Sequence, residues 1–197
     1  MKLNSLELLA AAGPICKCER TPALSRAELA DFEQFLEDEA AGKRVVKGVT
    51  SGKGKTYRFA LPYGSYPGYV FGGLTNAQTV SIIRAGMQEL SSLSGCKFVE
   101  TSKTSKAHLR WYVKPGIPAL AQYQDGKIYI NSARKVNAAI ARMVTLHEPL
   151  HFLGYRSVPA GDKWHHCVDP TCIYHVNGSG TLICSHIRSW LRWKFGA

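Results

Sequence analysis

The sequence predicts an α+β domain with a twisted mixed sheet, and three observations support this fold class. Short runs that alternate apolar and polar residues are typical of strands, and two longer stretches have apolar residues at helical spacing. Their order is strand, helix, several strands and helix, as in domains whose helices cover a sheet. The chain has 197 residues, 45% of them hydrophobic, which suffices for one core without disulfide staples.

The N-terminal segment, residues 1–42, differs in charge from the rest of the chain. It carries 4 basic and 8 acidic side chains, a net charge of −4, whereas residues 43–197 carry 21 basic and 6 acidic side chains, a net charge of +15. A basic body attracts anionic partners, and salt weakens the attraction. We therefore expect removal of residues 1–42 to raise the affinity for anionic substrates.

Two helices are predicted in this segment. Residues 1–13 resemble a signal peptide only weakly because Glu7 interrupts a short apolar stretch, so we interpret them as a short helix. Ser25 and Glu28 form a capping-box pattern before an acidic amphipathic helix, which Gly42 ends. Its apolar side chains are Leu29, Phe32, Phe35 and Leu36. We expect this helix to pack on the basic body, with residues 43–56 as an exposed linker or hairpin.

The body then alternates strands and helices. The predicted strands are residues 57–60, 97–101, 108–113, 119–124 and 127–130, with a turn at Asp125-Gly126 and a loop over 63–73. Thr75 is the predicted cap of the first long helix, residues 76–92, which carries Val80, Ile83, Met87 and Leu90. Asn131 or Ser132 is the predicted cap of the second, which carries Val136, Ala139, Ile140, Val144 and Leu146.

The second long helix ends in a histidine motif, HEPLHFLG, over residues 147–154. His147 and His151 are four residues apart, so both imidazoles lie on one helical face and can bind one metal ion. Glu148 between them can act as the general base towards a water molecule at that metal. Neutral imidazoles suit zinc, and a catalytic zinc needs a third protein ligand. Gly154 can take a left-handed conformation that ends the helix.

The motif resembles that of the metzincin clan of zinc metallopeptidases, in which a third histidine lies three residues beyond the glycine. Ser157 occupies that position here. The later stretch HCVDPTCIY, residues 166–174, is similar to the archaemetzincin pattern, in which the third zinc histidine precedes Cys, four residues and a second Cys. The resemblance implies His166 as the third ligand, with His165 as its rival and Asp162 as a more distant candidate.

The resemblance also implies an architecture. It is a zincin-like domain whose catalytic subdomain, residues 43–154, ends with the active-site helix, and whose small C-terminal subdomain, residues 155–197, supplies the third ligand. In metzincins an edge strand before the active-site helix pairs with the peptide substrate, and residues 120–124 are the matching stretch.

Two residues depart from the family pattern near the motif. Pro149 lies inside the helical motif and removes one backbone hydrogen bond, at a cost of about 3 kcal/mol, so we expect a kink. Tyr174 stands where the family has the methionine of the Met-turn. We expect this turn still to form, with an aromatic floor under the metal or a phenol near the reaction centre.

The cysteines suggest a second metal site. Instead of the family's later C-x-x-C pair the chain has Cys184-Ser185-His186, so the resemblance suggests a structural zinc held by Cys167, Cys172, Cys184 and His186, with His175 as an alternative imidazole. A disulfide or buried thiols are the other interpretations. Cys16 and Cys18 could place an inhibitory thiolate on the catalytic zinc, or be free loop thiols, and Cys96 is predicted in the core.

These observations favour a monomeric zinc-dependent endopeptidase that acts on peptides or proteins, including anionic ones, without a membrane span and with a slight preference for a cytoplasmic location. Two alternatives remain. The first is a catalytically weakened, metal-stabilised protein that binds polyanions such as nucleic acid, for which basic charge is the only support because no nucleic-acid motif occurs. The second is a zinc amide hydrolase that acts on cell-wall material.

Overall fold

The computed structural model describes residues 24–43, 54–61, 71–156, 166–175 and 180–196. The helices there are α1 (Arg26–Ala40), α2 (Asn76–Ser94), α3 (Ala138–Leu153) and α4 (Ser185–Phe195). The strands are β1 (Thr56–Ala60), β2 (Lys97–Glu100), β3 (Leu109–Val113), β4 (Ala121–Gln124) and β5 (Lys127–Ile130), and a short 3-10 helix covers Thr104–Lys106. None of these helices is both long and apolar enough to cross a membrane.

The five strands form one mixed sheet, in the order β2-β1-β3-β5-β4. β1 is parallel to β2 and β3, and β3 is parallel to β5. Only β4 runs antiparallel, and it forms one edge of the sheet. The two residues between β4 and β5 are the predicted Asp125-Gly126 turn, and both have positive φ, 45° and 71°, as a tight hairpin turn requires.

The main core lies between one face of the sheet and helices α2 and α3. Leu109, Trp111 and Ile128 project from the sheet into this core and are at most 1% exposed. Helices α2 and α3 cross at Gly86, where a Cβ atom would lie 2.5 Å from Thr145 Oγ1. The absence of a side chain at Gly86 therefore lets α3 approach α2 closely.

The acidic helix α1 packs on α4, as the sequence predicts. Its capping box is present, with Ser25 N–H donating to Glu28 and Glu28 N–H donating to Ser25 Oγ. The Phe32 ring lies 4.9 Å from the Trp193 ring, and Trp193 Nε1 donates to Asp31 at 2.8 Å. Acidic side chains of α1 also pair with basic ones of α4, Glu39 with Arg192 and Glu28 with Lys194.

The predicted start of the second long helix is wrong. Asn137, not Asn131 or Ser132, caps α3, and its side chain accepts from the N–H of Ile140. Asn131 instead donates to the carbonyls of Ile117 and Ala119 and accepts from the N–H groups of Gly116 and Ala133. Val136 therefore precedes the helix, where it is buried and donates to Gly72, and Ala139 is exposed.

Several predictions fall on residues that the structure does not describe. They concern the short helix over 1–13, the thiols Cys16 and Cys18, most of the linker over 43–56 and of the loop over 63–73, and the ligand candidates Asp162 and His165.

Candidate metal centre

Helix α3 carries the first three residues of the centre. It runs through Pro149 without a break in the helical assignment and ends at Gly154, whose φ of 83° and ψ of 23° are left-handed. The expected kink therefore does not interrupt the helix, and His147 and His151 converge with their Nε2 atoms 3.3 Å apart. Two nitrogen ligands of a tetrahedral zinc, each about 2.05 Å from the metal, would be ~3.3 Å apart.

His166 comes from the segment after α3 and joins the two helical histidines. One ring nitrogen from each of the three lies within 4.8 Å of the other two. The His166 ring centroid is 5.2 Å from that of His147 and 5.3 Å from that of His151. All three side chains are buried, at 1–3% exposure. The three imidazoles fit a metal such as zinc, which accepts neutral nitrogen ligands.

Residues 173 and 174 orient the two helical histidines. His147 Nδ1 lies 2.9 Å from the carbonyl oxygen of Ile173, and His151 Nδ1 lies 2.6 Å from the hydroxyl of Tyr174. The Tyr174 hydroxyl in turn donates to the carbonyl of Tyr155 at 3.4 Å, so its lone pairs can accept from His151. With a proton on each Nδ1, both Nε2 atoms are available to a metal.

The Tyr174 ring packs against all three histidines. Its ring stacks on His147 with centroids 4.7 Å apart and an interplanar angle of 25°. It lies 4.8 Å from the ring of His151 and 5.0 Å from that of His166. The side chain is fully buried. Tyr174 therefore packs against all three imidazoles and places its phenol against one of them.

Burial sets the protonation of the centre. It lowers the pKa of His151 well below its usual value, and the neighbouring His147 and His166 lower it further, which favours the neutral ring that a metal requires. Burial raises the pKa of Glu148 well above its ordinary value, and a backbone hydrogen bond from Tyr123 acts in the opposite direction. A raised pKa makes the carboxylate a stronger proton acceptor than an ordinary glutamate.

Strand β4 adjoins the centre. The backbone of Tyr123 hydrogen bonds to Glu148, and the Tyr123 ring is nearly parallel to that of His151, with an angle of 9° and a centroid separation of 6.3 Å. The predicted stretch 120–124 thus contains the edge strand, and this strand lies beside the proposed base.

A second group of potential ligands lies next to the first. Cys167 Sγ is 3.7 Å from Cys184 Sγ and 3.3 Å from His186 Nδ1, and Cys184 Sγ is 3.8 Å from His186 Nδ1. In a tetrahedral zinc site two sulfurs would be ~3.8 Å apart, and a sulfur and a nitrogen ~3.6 Å apart. Three of the four predicted ligands therefore have the spacing that zinc requires.

Cys172 is the fourth predicted ligand. Among the described residues, the ligand atoms of Cys167, Cys184 and His186 lie within 4.8 Å of one another, and this group does not include Cys172. Its Sγ accepts the N–H of Tyr174 at 3.3 Å. His175, the alternative imidazole, is not in the group either. The four described cysteines, Cys96 included, are buried, and the Cys167 and Cys184 sulfurs, 3.7 Å apart, are not bonded to each other.

The Cys184 thiol has a lowered pKa. The Cys172 thiol, the backbone of Ile187 and the Cys167 thiol all hydrogen bond to it, and together they lower its pKa to about 5. Cys184 precedes the first residue of α4, where the helix dipole also favours a thiolate. A thiolate is the form in which cysteine binds zinc.

Three contributors to the centre were missed by sequence reasoning. Ile173 and Tyr155 act through backbone carbonyls, so the type of their side chain carries no signal for the role. Tyr123 lies in the predicted edge strand, but nothing in the sequence places its N–H against Glu148 rather than another acid.

Comparison with known proteins adds a likeness in fold. No protein-family profile and no curated protein matches the sequence. Two solved structures of myroilysin are similar. One has 12% sequence identity and a TM-score of 0.50, and the match covers 89% of this chain and 97% of that one. The other has 13% identity and a TM-score of 0.44, with 75% and 54% covered, so this chain spans about half of its length.

At these identities the likeness concerns the fold alone, and the structure with the TM-score of 0.50 supports it. The predicted fold class, a zincin-like α+β domain with a twisted mixed sheet, is confirmed. The features specific to metzincins and archaemetzincins stay predictions.

Proposed function

We propose that the protein is a zinc-dependent endopeptidase. The observation that carries the proposal is the convergence of three buried imidazoles, His147, His151 and His166, beside a buried glutamate, Glu148. Three nitrogen ligands and one adjacent carboxyl group are the typical equipment of a hydrolytic zinc site. The likeness in fold to myroilysin supports the same reaction class.

In this proposal the three histidines hold zinc, which when bound supplies a Lewis acid that polarises the scissile carbonyl and acidifies water. Glu148 is the general base: its carboxylate takes a proton from the attacking water and later passes it to the leaving amine. The hydrogen bond from the Tyr123 backbone holds this carboxyl group in place. Ile173 and Tyr174 fix the rings of His147 and His151.

Strand β4 is the proposed site for the peptide. It is an edge strand beside Glu148, and an extended peptide can add to such an edge through main-chain hydrogen bonds. The ligand side chains are at most 3% exposed, so they must become accessible for a polypeptide to be cleaved. Cleavage of a polypeptide would show that they do.

We also propose a structural zinc at Cys167, Cys184 and His186. The 3.3–3.8 Å separations among their sulfur and nitrogen atoms support it, as does the lowered pKa of Cys184. Cys167 directly follows His166, so a metal held there would fix the backbone that presents the third catalytic ligand. Cys172, whose thiol influences the pKa of Cys184, is the predicted candidate for a fourth ligand.

Glu148→Gln tests the assignment of the base. This variant keeps the size of the side chain, so we expect it to retain bound zinc while cleavage of an unstructured protein such as casein falls at least about 100-fold. The matched control is Glu89→Gln, which removes a carboxylate that pairs with Arg142 instead, and which should cleave as the wild type does. Full activity of Glu148→Gln would refute the assignment.

Metal analysis separates the two proposed sites. We expect two zinc ions per wild-type chain, with one lost in His166→Ala and one lost in Cys184→Ser. An unchanged content in His166→Ala would remove that residue from the centre and favour His165 or Asp162. A protein that holds both metals but cleaves cell-wall fragments and not peptides would instead support the amide-hydrolase alternative.

A further inference from the structure

The face of the sheet that points away from α2 and α3 carries basic and aromatic side chains. Residues that are paired across strands point to the same face, and alternate residues point to opposite faces. The register therefore places Arg58, Lys97, Arg110, Tyr112, Lys127 and Tyr129 together on this face. The other strand residues there are Thr56, Ala60, Val99, Gln122 and Gln124. We call it the outer face.

No strand residue of the outer face is acidic, although the described chain has acidic residues elsewhere. Glu100, the only acidic residue within the five strands, points to the opposite face, where it pairs with Arg84 of α2 at 2.7 Å. Within the described part of the chain, none of the outer-face cations takes part in an ion pair. No acidic side chain of the described residues therefore neutralises their charge.

Two tyrosines lie among the cations of the outer face. Tyr112 and Tyr129 are register partners on β3 and β5, and their rings stack with centroids 5.6 Å apart and an angle of 26°. Arg110 and Lys127 are paired two residues earlier on the same strands. On the other side Lys114 Nζ lies 5.5 Å from the centre of the Tyr129 ring. The tyrosine pair is thus flanked by cations along the strands.

Both tyrosines are partly exposed, whereas Trp111, which lies between Arg110 and Tyr112 in β3, points into the core and is 1% exposed. A cross-strand aromatic pair stabilises the sheet modestly, and here it also leaves two partly exposed rings among cations. Aromatic rings next to unpaired cations are what single-stranded nucleic acid requires, because bases stack on the rings and phosphates bind the cations.

From this arrangement we propose that the outer face binds single-stranded nucleic acid, with bases stacked on Tyr112 and Tyr129 and phosphates held by Arg58, Arg110, Lys114 and Lys127. The combination of cations and aromatic rings favours this ligand over other polyanions. A sulfated polysaccharide would satisfy the cations but has no flat ring to stack on the tyrosines. The proposal is independent of peptide cleavage, since none of these residues belongs to the metal centre.

The test uses the full zinc-loaded chain and a fluorescein-labelled oligothymidylate of 12 nucleotides, with binding followed by fluorescence anisotropy from 50 to 300 mM salt. If four phosphates are neutralised, log K should fall against log salt with a slope of about −3. Replacing both tyrosines with leucine should weaken binding about tenfold or more with little change in slope, because a lost base stack does not alter the charge.

Charge variants give the complementary result. The double variant Arg110→Gln with Lys127→Gln should weaken binding and make the slope less steep by about 1.4. The matched control is Arg84→Gln, which removes a cation from the opposite face of the sheet and should leave binding unchanged. The double variant Tyr112→Phe with Tyr129→Phe keeps both rings and should bind as the wild type does, which shows that the rings rather than the hydroxyls are required.

Three results would overturn the proposal. One is the absence of binding to the oligonucleotide at 50 mM salt. Another is unchanged binding by the leucine variant with weakened binding by the charge variant, which would leave a plain polyanion surface that heparin fills equally well. The third is an equal loss in Arg84→Gln, which would place the binding elsewhere. Circular dichroism of each variant shows that it is folded before binding is measured.

Discussion

Replacing Tyr174 with phenylalanine should weaken zinc binding without removing the floor beneath the imidazoles. The change deletes one hydroxyl, which lies 2.6 Å from His151 Nδ1. The ring contacts with His147, His151 and His166 at 4.7–5.0 Å remain. His151 is 3% exposed, so water cannot readily replace the lost partner. The variant therefore isolates the hydrogen bond from the packing.

The expected loss of zinc affinity follows from the role of the hydrogen bond between Tyr174 and His151. Partners that orient a metal-bound histidine typically contribute 10–100-fold to metal affinity, or about 1.4–2.8 kcal/mol. The lost hydrogen bond also leaves a buried donor unsatisfied, which should lower the free energy of unfolding of the metal-free protein by about 1–3 kcal/mol. The two quantities are measured separately, by competition with a chromophoric zinc chelator and by urea unfolding in the presence of excess chelator.

The control is Tyr112→Phe, which removes a hydroxyl from a ring on the outer face and should leave zinc affinity unchanged. The absorption spectrum of the cobalt-substituted protein provides a readout that loss of stability alone would not alter, because ligand-field bands respond to how the His151 ring is held. A folded Tyr174→Phe variant with zinc affinity within about threefold of the wild type and the same cobalt spectrum would refute the reasoning.

Three further predictions concern packing and metal. Gly86→Ala should destabilise the fold by about 1–3 kcal/mol despite its better helix propensity, because the new Cβ would lie 2.5 Å from Thr145 Oγ1; thermal unfolding measures this, and Ser81→Ala on an exposed position of α2 is its control. Phe32→Ala should cost about 3 kcal/mol and expose the Trp193 ring to solvent, which urea unfolding and tryptophan fluorescence detect. Prolonged treatment with EDTA should abolish cleavage and lower the melting temperature, with zinc restoring both.

A specific result would contradict each of these three predictions. A Gly86→Ala protein as stable as the wild type would mean that α2 and α3 can move apart at no cost. An unchanged tryptophan spectrum in Phe32→Ala would mean that α1 does not shield Trp193 in solution. Loss of cleavage under EDTA with an unchanged melting temperature would argue against a structural role for the metal at Cys167, Cys184 and His186.

The packing of α1 also refines the prediction for removing residues 1–42. The segment contributes Phe32 and Phe35 to the core and several acidic partners to α4. Truncation should therefore destabilise the body as well as unmask positive charge, so the expected gain in affinity for anions must be measured on protein that is shown to be folded. Neutralising Glu28, an exposed partner of Lys194, is a milder test of the charge effect.

The sequence by itself determined the fold class, the strand and helix order and the helical pair of histidines. These features depend on periodicity and on local signals: a capping box at Ser25, a turn at Asp125-Gly126 and two histidines one helical turn apart. It failed locally at the start of α3. Asn131 and Asn137 are both good capping residues, and only the loop that Asn131 binds through the Ile117 and Ala119 carbonyls decides between them.

Tertiary structure alone decided how the centre is completed. His166 is 15 residues beyond His151, and its place beside the helix follows from the chain path, not from its spacing. The backbone carbonyl of Ile173 and the N–H of Tyr123 are identical in chemistry to those of other residues, so their roles depend only on position. The outer face likewise exists only because strand register brings Arg110, Tyr112, Lys127 and Tyr129 together from separate stretches of chain. Local patterns determine elements, whereas contacts between distant residues determine sites.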